Sequence, residues 1–316
     1  MRQRIGAAGR IITPRDRPWY YNHKKHKNLL LMMLPGLLSL FVFSYLPMYG
    51  MQIAFRDFIF KLGIWQSPWV GLKHFRDLFE SAHFLNAFKN TLVISGLQLV
   101  FGFPAPIIFA VLLNEIRVLK FKKLVQTISY LPHFISWAVL GGMFIQLLSP
   151  SVGPVNLLLK TMGMQPIYFL AEPSWFRTVI VSTHIWQTIG WNSIVYIAAI
   201  TNIDAELYEA GKIDGATRFQ QIFYITLGAL MPVITIMLIF AVGKIINDNF
   251  DQIFNLMTSP VESVGEVLST YSYKIGLVKM QYSFSTAMGL FKNVISLLLI
   301  LFANRVAKKI NDYGLW

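Results

Sequence analysis

The sequence EAGKIDGATRFQ, residues 209–220, is a polar segment between two long apolar runs. Asp214 and Gly215 form a strong turn signal, because glycine accepts backbone angles that other residues avoid. Thr217 and Gln220 have the spacing of a capping box, which starts a helix. The pattern predicts a short helix, a sharp turn and a second helix that leads into the next apolar run.

The helix before the turn is predicted to begin after Asp204, because an aspartate at this position can accept hydrogen bonds from the first backbone N–H groups. One face of this helix is small enough for a groove in another protein to cover, and it consists of Leu207, Ala210, Gly211 and Asp214. The alternative is an ordinary capped helix at the membrane interface. The residues alone leave both interpretations open.

The composition of the chain is that of a membrane protein. Its 316 residues are 55% hydrophobic and only 14% charged, which is too apolar for an ordinary soluble domain. A bilayer core about 30 Å thick requires roughly 20 mainly apolar residues per spanning helix. Six runs have this length: 29–49, 91–113, 125–148, 175–200, 227–246 and 284–303. They predict an all-α integral membrane protein with six transmembrane helices.

The net charge of +13 is concentrated in a basic tail, residues 1–28, that precedes the first run. Such a tail fits the positive-inside rule and attraction to anionic membrane lipid, so no nucleic-acid partner is expected. An even number of spans then places both termini in the cytoplasm, including the C-terminal tail 304–316. The membrane domain is expected over 29–303, with the loop of residues 201–226 on its cytoplasmic side.

Residues 209–227 strongly resemble the signature of the permease subunits of type I ATP-binding-cassette (ABC) importers. That signature is Glu-Ala-Ala, two variable residues, Asp-Gly-Ala, an aromatic residue and a downstream Ile-Thr-Leu-Pro. The chain retains Glu209, Ala210, Asp214, Gly215, Ala216, Phe219, Ile225, Thr226 and Leu227. It departs at Gly211, where the family usually has alanine, and at Gly228, where it usually has proline. Gly211 is expected to loosen the helix by roughly 0.5–1 kcal/mol.

The resemblance covers about residues 30–310 and points to the carbohydrate-importing branch of these permeases. The segments that support it are WVGLKHF (69–75), FKNT (88–91), GPVNLL (153–158) and NFDQIF (249–254). The chain is similar to the subgroup that imports complex oligosaccharides, including alginate-type and other uronate-containing chains.

The resemblance implies a multisubunit importer in a bacterial cytoplasmic (inner) membrane. Its other parts are a second homologous permease, in a heterodimer, two ATPase subunits and an extracytoplasmic solute-binding protein. The residues implied to couple to the ATPase are Glu209, Ala210, Gly211, Asp214, Gly215 and Ala216. The chain contains no Gly-x-x-x-x-Gly-Lys-Ser/Thr sequence, so ATP and Mg²⁺ are expected on the partner ATPase.

Polar residues inside apolar runs are costly in lipid and usually face the interior of the bundle. The candidate pathway residues are Trp186, Trp191, Asn192, Tyr196, Lys244, Asn247, Asn249, Lys292 and Asn293. The aromatic members combine flat apolar surface with nearby hydrogen-bonding groups, which suits sugars, although aromatic residues at helical spacing are also common in packing. For Lys292, an ion pair with an acidic residue and contact with an anionic sugar both remain open.

Three other functions are alternatives: a self-contained membrane enzyme, a channel formed by this chain alone, and an ABC permease for a solute other than sugar. An enzyme would need a catalytic constellation, and the sequence has neither Gly-x-Ser-x-Gly nor a paired-carboxylate motif. No catalytic residue is therefore assigned. With no cysteine, six histidines and no His-Glu-x-x-His motif, no metal site is expected.

Overall fold

The computed structural model describes residues 27–311 and 314–315, and most of these residues are helical. Within the described residues, β-structure is limited to an isolated bridge between Arg56 and Trp69. The main helices are α1 (Lys27–Phe55), α2 (Lys73–Glu80), α3 (Ala82–Glu115), α4 (Leu119–Phe134), α5 (Trp137–Leu147), α6 (Pro154–Thr161), α7 (Pro173–Thr201), α8 (Ala205–Ile213), α9 (Arg218–Gly243), α10 (Phe250–Leu256), α11 (Leu268–Tyr273) and α12 (Tyr282–Asn311). The predicted all-α fold class is confirmed.

Four helices of the described chain, α1, α3, α9 and α12, are long and apolar enough to cross a membrane. The bent pair α4–α5 adds a fifth crossing if it counts as one span. Helix α7 has 29 residues, about 43 Å at 1.5 Å per residue, but it is more polar and does not meet the same criterion of length and composition. Each of the six predicted runs overlaps one of these helices or the bent pair.

The third predicted run, 125–148, does not form one straight helix. The chain bends by 105° between α4 and α5. Pro132 lies in a 3₁₀ turn at the end of α4, where its missing N–H and its ring favour a break. Ser136 then has extended backbone angles and precedes the first residue of α5. The apolar run alone did not predict this bend.

The ends of several helices also differ from the predicted bounds. Helix α3 begins at Ala82, well before residue 91, because its polar residues are satisfied by distant parts of the chain: Asn86 and Asn90 both donate to the carbonyl oxygen of Ser263. Helix α12 continues through residue 311, into the predicted C-terminal tail. The predicted basic tail lies outside the described residues up to residue 26.

Helix α7 organises the bundle by holding α4 and α10 against it. A Cβ atom at Gly190 would lie 2.2 Å from the carbonyl oxygen of Ser129 in α4, so the two backbones touch where only glycine fits. Gln252 of α10 is fully buried, and its Nε2 donates to Ile180 O (2.7 Å) and Thr183 Oγ1 (2.8 Å) of α7. These contacts hold α7, which forms one wall of the cavity described below.

Candidate functional site

The segment around residue 209 has the local structure that its sequence predicts. The Asp204 carboxylate accepts a hydrogen bond from Glu206 N (3.0 Å) at the start of α8. Gly215 has φ of +75°, the left-handed conformation that favours glycine. Thr217 and Gln220 form the reciprocal capping box at the start of α9. We call residues 204–220 the turn segment.

The turn segment exposes most of the residues that the family resemblance implies in coupling. Glu209, Ala210, Asp214 and Gly215 are exposed, whereas Gly211 and Ala216 are partly buried. Two large apolar side chains of α8 are also exposed, Leu207 at 51% and Ile213 at 87%. The segment therefore presents an ordered surface, with both charged and apolar groups, that other described residues do not cover.

Gly211 has a packing role that its effect on helix stability did not suggest. A Cβ atom at this position would lie 3.0 Å from Cδ1 of Ile225, so the missing side chain lets α8 lie close to α9. Tyr208 supports the same contact, because its hydroxyl lies 2.9 Å from Thr226 Oγ1. The segment is therefore held firmly against its own following helix, despite the glycine.

An open cavity of about 530 Å³ lies between the middle of α3, the second half of α7 and the end of α9. Its volume falls in the range of small-molecule sites, roughly 300–1,000 Å³. The cavity brings together six of the nine candidate pathway residues: Trp191, Asn192, Tyr196, Lys244, Asn247 and Asn249. Aromatic faces, amides and one ammonium group thus share one surface.

The other three candidates lie elsewhere. Trp186 borders a separate apolar cavity of about 290 Å³, where its ring packs edge-on against Phe144 at 5.5 Å. Asn293 is exposed and does not line the larger cavity. Lys292 also does not line it, but its partner Asp248 does.

Lys292 belongs to a buried polar cluster beside the cavity. Its Nζ donates to Ser269 Oγ (2.7 Å) and lies 3.9 Å from Asp248 Oδ2. The same carboxylate oxygen accepts from Ser269 N (3.1 Å) and Thr91 Oγ1 (3.4 Å). Thr91 Oγ1 in turn accepts from Leu268 N (2.9 Å). Asp248 and Thr91 therefore satisfy the first backbone donors of α11, and Lys292 supplies the compensating charge.

Several polar residues of the cavity wall were not among the predicted pathway residues, namely Ser95, Gln98, His184 and Thr188. Gln98 Nε2 is buried without a hydrogen-bond partner, and His184 Nδ1 lies 3.4 Å from Asn249 Nδ2. A helical stripe could have revealed them, because Ser95 and Gln98, like His184 and Thr188, are separated by one turn. In the described part of the chain, no group of three or more His, Asp or Glu side chains is arranged to hold a metal ion.

His133, at the end of α4, packs against one wall of the cavity. It stacks on Trp191, with ring centroids 4.6 Å apart and planes within 5° of parallel. Since Trp191 lines the cavity, this stack fixes the orientation of an aromatic wall.

The structure is a bundle of membrane helices with an open cavity, lined by polar and aromatic residues, and an ordered, exposed turn segment. These features are typical of helical membrane transport proteins. The family model for the binding-protein-dependent transport system inner membrane component matches residues 102–312, and the chain belongs to this family. It is thus the permease subunit of an ABC importer and a multi-pass protein of the bacterial inner membrane.

Several known proteins are similar to this chain over almost its whole length. The chain is 41% identical over 298 residues to Protein LplB of Bacillus subtilis, covering 94% of both chains. It is 44% identical over 292 residues to the polygalacturonan/rhamnogalacturonan transport system permease protein YteP of the same organism, covering 92% of this chain and 91% of YteP. A crystal structure of a bacterial ABC transporter that imports the acidic polysaccharide alginate matches with a TM-score of 0.86 and 41% identity, covering 92% and 99% of the two chains.

A second structure, the bacterial alginate ABC transporter in complex with an alginate pentasaccharide-bound periplasmic protein, matches with a TM-score of 0.87 and 40% identity, covering 95% and 100% of the two chains. These findings confirm the predicted family, its type I permease fold and its carbohydrate-importing branch. They also confirm that a binding protein works with permeases of this kind.

Proposed function

We propose that this chain is one of two permease subunits of an ATP-driven importer of acidic oligosaccharides. Similarity to permeases for polygalacturonan/rhamnogalacturonan and alginate supports a substrate that carries carboxylates. A solute-binding protein delivers the substrate, and a second, homologous permease completes the pathway. The chain crosses the membrane six times through α1, α3, the α4–α5 pair, α7, α9 and α12, and both termini are cytoplasmic.

In this proposal the turn segment is the docking site for an ATPase subunit, which binds ATP and Mg²⁺. Its support is the exposure of Glu209, Ala210, Asp214 and Gly215 on a segment fixed at both ends by caps. Gly211 and Ala216 lie beneath them, against α9. The chain itself contributes half of the pathway and no catalytic group.

The observation that best supports an acidic substrate is the environment of Lys244. Its exposed side chain lines the cavity, and none of the acidic side chains in the described residues lies within 4.0 Å of its ammonium group. Asp248 borders the same cavity, but it is compensated by Lys292. Within the described part of the chain, the ammonium group of Lys244 thus has no carboxylate counter-ion, and a uronate carboxylate of the substrate would supply one.

Lys244 also follows the last residue of α9, where a cation is favoured by the helix dipole. A purely local role of this kind would not distinguish between substrates. Comparing acidic with neutral substrates therefore distinguishes binding of a substrate carboxylate by Lys244 from stabilisation of the helix end.

The experiment measures ATP-dependent uptake by the complete transporter in proteoliposomes with its binding protein. The substrates are an oligogalacturonide and a neutral oligosaccharide of equal length. We expect Lys244→Met to lower uptake of the acidic sugar about tenfold or more, as for loss of one charge-assisted hydrogen bond, and to spare the neutral sugar. Lys244→Arg should retain acidic uptake, and Lys279→Met, an exposed lysine outside the cavity, is the matched control. Equal loss of both substrates, or no loss, would contradict the proposal.

A further inference from the structure

Two charged residues lie at helix ends that disfavour their charge. Glu115 is the last residue of α3, where the partial negative charge of the helix end repels a carboxylate. Arg218 is the first residue of α9, where the partial positive charge repels a guanidinium. The helix dipole does not favour either charge at its position, so we examined which residues the two side chains contact.

The two residues bind each other in bidentate geometry. Arg218 Nε donates to Glu115 Oε2 (2.6 Å), and Arg218 Nη2 donates to Glu115 Oε1 (2.9 Å). Arg218 Nη1 also donates to Gln221 Oε1 (3.2 Å), and Gln221 Nε2 donates to Ala216 O (3.0 Å). The guanidinium is thus joined on one side to the end of α3 and on the other to the turn that contains Gly215.

This pair is the side-chain link from the turn segment to a different membrane helix. Among the described residues, the other side-chain hydrogen bonds of the turn segment stay within it or reach the first turns of α9, as Tyr208 does at Thr226. Gly211 likewise packs on Ile225 of α9. Without the Glu115–Arg218 pair, the hydrogen bonds and ion pairs of the described side chains would connect the turn segment only to α9, the helix that follows it.

The end of α3 is in turn connected to the cavity wall. Its last stretch, Pro104–Glu115, follows a π-helical turn over Gln98–Gly102, and both parts contribute residues to the cavity. Ala110 of this stretch lies in a fully buried cluster with Tyr196 of α7 and Leu230 of α9. Glu115 therefore ends the same helical stretch that packs on α7 and α9 and borders the cavity.

We propose that the Glu115–Arg218 pair is a positioning contact that transmits movement of the turn segment to α3 and so to the cavity. The pair touches neither substrate nor nucleotide in this scheme, and the inference rests on the proposed function as an ATPase-driven permease. Loss of the pair leaves docking intact and reduces the fraction of ATP turnovers that move substrate.

The test uses the complete transporter in proteoliposomes and measures uptake, ATP hydrolysis and copurification of the ATPase. We expect Glu115→Gln and Arg218→Gln each to lower uptake at least fivefold while ATP hydrolysis falls less, so that more ATP is consumed per sugar imported. The charge exchange Glu115→Arg with Arg218→Glu should restore uptake to within twofold of the wild type. Lys120→Gln, in the neighbouring helix and without an ion pair among the described residues, is the control.

Three results would overturn the inference: single variants that import at the wild-type rate, a charge exchange no better than the single variants, or loss of ATPase copurification, which would make the pair an assembly contact. Failure of the proposed function looks different. In that case the wild-type complex itself shows no ATP-dependent uptake, whatever the state of the pair.

Discussion

Replacing Asp248 by asparagine should destabilise the permease strongly, because it leaves a buried lysine without its counter-ion. The Asp248 side chain is 1% exposed and that of Lys292 is 13% exposed. Asparagine preserves the shape and can still accept from Ser269 N, so the change isolates the charge. Removing one partner of a buried ion pair costs about 3–5 kcal/mol. We expect Lys292→Met to be destabilising for the same reason.

The double variant, Asp248→Asn with Lys292→Met, should be more stable than either single variant, because no buried charge then lacks a partner. The assay is the thermal midpoint of the purified permease complex, followed by tryptophan fluorescence, with single-variant losses of roughly 5–8 °C. Uptake of acidic and neutral oligosaccharides should fall in equal proportion. A double variant no more stable than the singles would refute the pairing, and selective loss of acidic uptake in Lys292→Met would place Lys292 in contact with substrate.

Other expected outcomes concern the turn segment and the helix contacts. Gly215→Val should abolish substrate-stimulated ATP hydrolysis while the permease still inserts, because a branched residue at φ of +75° costs about 1–2 kcal/mol; Glu209→Lys should do the same by reversing an exposed charge. Normal stimulation in both would argue against docking at this segment. Gly190→Ala should lower the thermal midpoint, since its Cβ atom would lie 2.2 Å from Ser129 O and force α4 and α7 apart at a cost of about 1–3 kcal/mol. Gly142→Ala, where the added atom meets open space, should be neutral or stabilising by up to about 1 kcal/mol, and an equal loss in both would contradict the packing argument.

The features that could be predicted from the sequence are those that depend on neighbouring residues. The turn segment is the best example, because an N-cap, a glycine at positive φ and a capping box are each decided within a few positions. Apolar runs likewise located the long helices, since spanning length is a local property. The coupling and pathway roles of the named residues stay predictions.

The features that could not be predicted depend on contacts distant in sequence. The predicted apolar run began after the polar residue Asn90, so the start of α3 was placed too late. In the structure Asn90 is buried, and its amide forms hydrogen bonds with Ser263, Glu266 and Arg177. The partner of Lys292 lies on another part of the chain, so pairing and substrate contact could not be separated without the fold. Pro132 marks a break after α4, but the 105° direction of α5 could not be read from the sequence; in the structure α5 lies against α10, where Gly141 is close to Asn255.

The charged residues of this permease fall into two groups that have different consequences for transport. Asp248–Lys292 and Glu115–Arg218 are compensated within the chain, so they can hold helices together whether or not substrate is present. Lys244 lines the cavity and has no acidic side chain within 4.0 Å among the described residues. Helices α3 and α9 carry both kinds of feature: both line the cavity, α3 ends at Glu115 and α9 begins at Arg218. In the proposed function, these two helices connect the docking site of the ATPase to the cavity that receives the charged substrate.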